Sequence, residues 1–245
     1  MALAKVVPMG RFLTVVLFAW AMTSPWQVAV AADACAEGRL RPAMLVDGDK
    51  LVMSWVGTVT EKMASSIAAA FEADKRRTKS IELSLSSCGG RTDYMAATVG
   101  VLTHIKMTHQ LTTVVERGAT CASACIPIFL SSDRRVAALS SLWFFHRSWR
   151  YQMTGGVDGV QTKVPGDSSL ERFLDRYYAS AGVSRPWLAQ LKTIIETNDG
   201  FWQTGRDLWE RKSGIVTETI GDIAPFDRGS THLAPAPGCS AMCRG

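Results

Sequence analysis

The sequence predicts an α/β domain built on a mainly parallel sheet with crossover helices. Three observations point there. From residue 51 to 131, β-branched runs alternate with helical periods, strand then helix three times over. Two small-residue loops, Ser86 to Gly90 and Arg117 to Cys121, follow strand-like segments directly, and ligands of such sheets sit where the strands end. The chain has 245 residues, 47% of them hydrophobic, which is enough to bury one substantial core.

Residues 1–31 read as a secretory signal peptide. Lys5 and Arg11 supply positive charge, Phe12 to Met22 is an apolar run, and Ala29-Val30-Ala31 is an A-x-A cleavage site. That run of eleven is too short to span a bilayer comfortably, and an uncleaved membrane anchor is the alternative. Ala32-Asp33-Ala34 before Cys35 is not the aliphatic stretch that lipid attachment requires. The remainder, 32–245, reads as a single domain with its core at about 50–220 and an irregular cysteine-containing tail. Cleavage removes two cationic residues, taking the formal charge from +5 to +3. This is too weak and scattered for a nucleic-acid partner, and no integral span is expected after cleavage.

Leu51 to Thr60, rich in valine and threonine, predicts a strand. Met63, Ile67, Ala70 and Phe71 recur with helical spacing across Glu61 to Arg77. Lys75-Arg76-Arg77 fits the last turn of that helix, where cations complement exposed carbonyls. Ile81 to Leu85 alternates as a strand, Tyr94 to Met107 is helical, and Leu111 to Val115 is again a strand. Tyr151 to Ser168 holds four glycines and no clear period, which predicts a loop or flap. Helices are predicted at Glu171 to Ala181, Pro186 to Glu196 and Asp207 to Lys212, with a closing turn and strand at Gly214-Ile215-Val216.

The chemistry centres on Cys121-Ala122-Ser123-Ala124-Cys125. A serine between two alanines leaves room for a substrate carbonyl, but a serine hydroxyl is a weak nucleophile until a base takes its proton. His146 ends the apolar segment Leu142 to Phe145, 146 − 123 = 23 residues on. That is far enough to return beside Ser123 on a neighbouring element. Gly89-Gly90 can adopt backbone angles closed to other residues and turn bare N–H groups toward a ligand. His104 and His109 fall in or just after a helix, at the surface or core edge, and His232 lies in the tail.

All six cysteines (Cys35, Cys88, Cys121, Cys125, Cys239, Cys243) follow the cleavage site. An even count in an exported chain favours disulfides. Neither C-x-x-x-C pair has the spacing of a zinc knuckle, so no metal and no cofactor is expected. Cys88, Cys121 and Cys125 all fall in the two site loops. The expected bond therefore joins Cys88 to Cys121 or Cys125, and Cys35 has Cys239 or Cys243 as a candidate partner. The sequence does not fix the connectivity.

Taken together, these residues resemble the ClpP/crotonase-like superfamily, specifically the exported ClpP-like proteins of bacteria. The resemblance covers about residues 50–220. It rests on Leu83-Ser84-Leu85-Ser86-Ser87-Cys88-Gly89-Gly90 and the helix after it, on Gly118 through Cys125, and on the segment ending at His146. It implies a peptidase in which Ser123 is the nucleophile and His146 the general base. Backbone amides of Gly90, or its neighbour Gly89, and of Ala124 would hold the oxyanion. Ser123 would open a helix whose unpaired N–H groups favour negative charge. Asn198-Asp199-Gly200-Phe201 resembles the segment bearing the third member, making Asp199 a candidate, although the interval to Gly214 is longer than in the family. Asn-Asp-Gly is also an ordinary turn sequence. Two departures stand out: Cys88 where ClpP has proline, and cysteines bracketing the serine.

The resemblance implies a peptide or protein substrate and a homo-oligomer. Trp143, Trp149, Trp187, Trp202 and Trp209 fit either an interface or a core. Three other functional readings compete. One is a non-catalytic binding or assembly module of the cell envelope. Another is an α/β-hydrolase in the order Ser123, Asp175 or Asp199, then His232. Cysteines at positions 121 and 125, where its nucleophile elbow wants glycines, count against it. Acyl-CoA chemistry is disfavoured because an exported protein would rarely meet CoA.

Overall fold

The computed structural model describes residues 34–147, 149–154, 160–165 and 170–221. The first half of the domain runs β1 (Arg39–Val46), β2 (Lys50–Val56), α1 (Lys62–Asp74), β3 (Ser80–Ser86), α2 (Thr92–Lys106), β4 (Gln110–Val115), β5 (Thr120–Ala122) and α3 (Cys125–Phe129). The second half runs β6 (Arg134–Ala138), β7 (Leu142–Phe145), β8 (Trp149–Thr154), β9 (Val160–Pro165), α4 (Leu170–Tyr177), α5 (Arg185–Thr197), β10 (Phe201–Thr204), α6 (Gly205–Glu210) and β11 (Glu218–Ile220).

Six strands form the main sheet in the order β1-β2-β3-β4-β6-β11. Every neighbouring pair is parallel except β1 with β2. The architecture is thus mixed α/β with a mostly parallel central sheet, as the alternation of segments predicts. Period-two patterning makes it. Leu51, Ile81 and Leu111 stand in register across three strands, with Met53 beside Leu83 and Trp55 beside Leu85 in the next rows, all buried. Over these rows lie Met63, Ile67 and Phe71 of α1, one turn apart, and Met95, Leu102 and Ile105 of α2. Each such side chain removed from water contributes about 1.5–3 kcal/mol.

Strand β1 was not apparent from the sequence. It is hairpinned to β2 through Asp47 and Gly48, both at positive φ, and its register slips between Arg41 and Met44, around Pro42. At the other side of the sheet, Arg135 on β6 is buried. Its guanidinium donates to the carbonyls of Ser132 (3.0 Å), Gly214 (2.8 Å) and Ile215 (2.8 Å), fastening the segment ahead of β11. The closing strand therefore begins at Glu218, after the turn at Gly214–Val216, and pairs parallel to β6.

Three shorter strands form a second sheet, β10-β7-β5, with β5 parallel and β10 antiparallel to β7. Trp143 and Phe145 of β7 turn into the core, against Phe129 and Trp187 respectively. Trp143 and Trp187 are therefore core residues, whereas Trp209 is 44% exposed. The loop expected at 151–168 is instead largely an antiparallel hairpin, β8 with β9, paired from Trp149↔Pro165 to Thr154↔Val160. The paired segments themselves contain no glycine, so glycine count alone hid two strand-forming stretches. Among the described residues, no helix is long and apolar enough to cross a membrane. The predicted signal segment and the tail beyond Gly221, with His232, Cys239 and Cys243, lie outside them.

Candidate active site

Ser123 sits where β5 ends and α3 begins. Its φ is +53°, a left-handed conformation that costs a residue with a Cβ about 1–2 kcal/mol. The surrounding structure holds it there. Its N–H donates to the Phe144 carbonyl (2.9 Å) and its own carbonyl accepts from Ile126 N–H (3.0 Å). Its two neighbours on either side, Ala122 and Ala124, are buried, whereas Ser123 itself is half-exposed.

His146 directly follows β7. It lies two residues past the carbonyl that receives the Ser123 N–H, roughly 6.6 Å along the neighbouring strand. Its ring stacks on Phe144 (centroids 5.3 Å apart), and Phe144 in turn lies 4.8 Å from the Trp202 ring. Nδ1 is 2.7 Å from the Arg147 carbonyl oxygen. A carbonyl only accepts, so Nδ1 is the donor, and in that tautomer of the uncharged ring Nε2 has the lone pair that a base needs.

Asp199 reaches the same corner from the other side of β7. Phe201 pairs with Phe145, and Asp199 lies two residues before that pair. The approach is close at Gly200 (φ +135°), where a Cβ would lie 2.8 Å from His146 Cβ and 2.5 Å from the Phe144 ring. Asp199 itself is exposed. Asp175 lies exposed on α4. His104 is exposed on α2, and His109 packs edge-on against Phe71 (4.9 Å).

The glycine loop joins the site through backbone pairing. Ser87 N–H donates to the Thr120 carbonyl (2.7 Å) and Ala122 N–H to the Ser87 carbonyl (2.9 Å), locking the end of β3 to β5. Gly89 (φ +97°) then passes directly under the serine. A Cβ there would stand 2.7 Å from Ser123 Cβ, 2.8 Å from the Ala122 carbonyl oxygen and 3.1 Å from the Ala124 nitrogen. The Gly89 N–H donates to the Ser87 hydroxyl (3.1 Å), so it is already engaged. The other two candidate amides are those of Gly90, which is exposed, and of Ala124, which is buried. Helix α3 is only five residues long, so any anion stabilisation comes from these individual amides rather than from a helix macrodipole. Ser87, fully buried, is a positioning residue that the sequence presents only as one more small residue in a turn.

The disulfide expectation needs correcting. Cys121 is bonded to Cys125, not to Cys88, with the two Cα atoms 5.3 Å apart. The left-handed turn at Ser123 folds residues four apart onto each other. Cys88 instead packs against Cys35 beneath Trp202. The cleft on the polar face of the main sheet, about 530 Å³ and lined by Glu82, Glu116, Arg134 and Glu218, contains none of the candidate residues.

No protein-family model matches the sequence, and no curated protein matches it. Solved structures do match in shape. A mutant of ClpP1 from Listeria monocytogenes superposes with a TM-score of 0.50 at 16% identity, covering 72% of this chain and 94% of that one. A mutant of the 1510-N membrane-bound stomatin-specific protease gives 0.53 at 17% identity, covering 73% and 83%. The fold is ClpP-like. At these identities the likeness is one of architecture, a mostly parallel central sheet with helices.

Proposed function

We propose that the chain is an exported serine hydrolase that cleaves peptide bonds. The reading rests above all on the turn at Ser123. A serine held at positive φ, backed by a glycine that admits no side chain, stands one strand away from a histidine whose Nδ1 donates to a carbonyl. Backbone strain of this kind clusters at functional sites. Among the structures similar in shape, the stomatin-specific protease is a protease by name, which supports the same class.

In the proposed reaction the Ser123 hydroxyl attacks a peptide carbonyl as its proton passes to His146 Nε2. The carbonyl π electrons move onto oxygen, facing the amides of Gly90 and Ala124, where one donor is worth about 2.7–4 kcal/mol. Collapse expels the amine, which takes the proton back from Nε2. Water then repeats the sequence on the acyl-enzyme, and Asp199 stabilises the imidazolium by its charge. Export is supported by the pattern of residues 1–31 and by the Cys121–Cys125 bond, since such bonds persist in oxidising compartments. Self-association belongs to the same proposal.

A fluorophosphonate probe tests it, because the probe labels an activated serine and ignores an inert one. The wild-type chain labels and Ser123→Ala does not. His146→Ala slows labelling by at least about 10³-fold. Asp199→Asn slows it less, because the Arg147 carbonyl still holds the tautomer. A folded, oxidised wild-type chain that stays unlabelled refutes the hydrolase and leaves a binding or assembly module in its place.

A further inference from the structure

We infer that Cys35 and Cys88, whose sulfurs are not bonded to each other in this structure, form a second disulfide on oxidation, which fastens the chain entering the domain to the loop carrying Gly89 and Gly90. The two side chains are buried, 9% and 6% exposed, and pack against each other under Trp202. Their backbones are already paired. Cys88 N–H donates to the Ala34 carbonyl (2.9 Å), and Thr58 N–H donates to the Ala36 carbonyl (2.9 Å) on the other side of the same segment. The first of these hydrogen bonds, one residue from Cys35, brings the two backbones together just where the side chains pack. Cys121 and Cys125 are consumed by each other, so neither competes for Cys88.

The bond forms by exchange with an oxidised disulfide compound of the export compartment. One thiolate attacks that disulfide and releases a thiol. The second thiolate then displaces the remaining half. Two S–H bonds are lost, one S–S bond is gained, and the oxidant leaves as two thiols. Because Cys88 directly precedes Gly89, the bond sets how closely Gly89 approaches Ser123. That consequence rests on the hydrolase reading; the bond itself does not.

Protein prepared without reductant is unfolded in an alkylating reagent, digested and mapped by mass spectrometry. The expected product is a linked pair of peptides containing Cys35 and Cys88 that separates on reduction. Alkylation of both thiols, or linkage of either one to Cys239 or Cys243, overturns the inference. In non-reducing buffer Cys35→Ser and Cys88→Ser each lower Tm by about 5–15 °C, and the double variant loses no more than either single one. In strong reductant the wild type falls to their level. Equal Tm values in both buffers count against the bond. A mapped bond in a chain that the fluorophosphonate does not label keeps the tether and removes only the hydrolase.

Discussion

Replacing Gly89 by alanine tests how closely the glycine loop and the nucleophile turn are coupled. Two separable costs follow from the geometry. The first is conformational: at φ +97° a Cβ is strained wherever the side chain points, at about 1–2 kcal/mol. The second is steric. The new methyl would meet Ser123 Cβ at 2.7 Å and the Ala122 carbonyl oxygen at 2.8 Å, both on the turn itself, so relief requires moving the serine. Overpacking of that kind costs a further 1–3 kcal/mol or so. Gly48 provides the control. It has φ +82°, and a methyl added there would find nothing within 4 Å, so Gly48→Ala carries the first cost alone. Thermal unfolding should place Gly89→Ala below Gly48→Ala by about 2–10 °C. Fluorophosphonate labelling should fall by about 10²-fold or more in Gly89→Ala, since displacements of around 1 Å at a nucleophile are that expensive, and stay unchanged in Gly48→Ala. Equal Tm values together with wild-type labelling of Gly89→Ala would refute the coupling.

Three further outcomes are expected. Ser123→Gly relieves the left-handed strain and raises Tm by about 2–4 °C while abolishing labelling, whereas Ser123→Ala abolishes labelling without that gain. Arg135→Lys cannot reach three carbonyls with one ammonium; leaving a buried carbonyl unpaired costs about 1–3 kcal/mol, read as a lower denaturation midpoint, and Arg135→Met costs more. The Glu218 carboxyl is held below its ordinary value by hydrogen bonds from Arg134. It therefore binds fewer protons folded than unfolded in mildly acidic solution. Its contribution is complete above the ordinary carboxylate value and disappears as pH falls through the lowered one. The stability difference between wild type and Glu218→Gln should accordingly vanish in acid and shrink in high salt, by chemical denaturation at a series of pH values.

The parts of the fold legible in the sequence are those set by local patterning. Leu51-Met53-Trp55 and Ile81-Leu83-Leu85 alternate because one face of each strand is buried under helices, and Met63, Ile67 and Phe71 repeat because α1 buries one stripe. Strands of three or four residues leave no such trace. β5 and β10 exist through partners far along the chain, such as Phe201 with Phe145, and no short window of sequence contains that information. The candidate site was chosen from residue types and spacings, which carry no information about its backbone. Nothing in Ala122-Ser123-Ala124 announces a left-handed serine, and that one angle decides which cysteine Cys121 meets. Cys35, set in a segment with no periodicity, gave no sign that it would lie beside Cys88.

The division of strands between two sheets has a consequence for how this protein can vary. Ser123, His146 and Asp199, the candidate trio, flank the ends of three short strands paired in one ladder, so a shift of that ladder would carry the three together. The glycine loop follows a strand of the large sheet and meets the ladder at the Ser87–Cys121 bridge, at Gly89 and where Cys88 packs against Trp202. Under the proposed mechanism, substitutions deep in the large sheet would retune the grip on a developing charge while leaving proton transfer alone, and substitutions in the ladder would do the reverse.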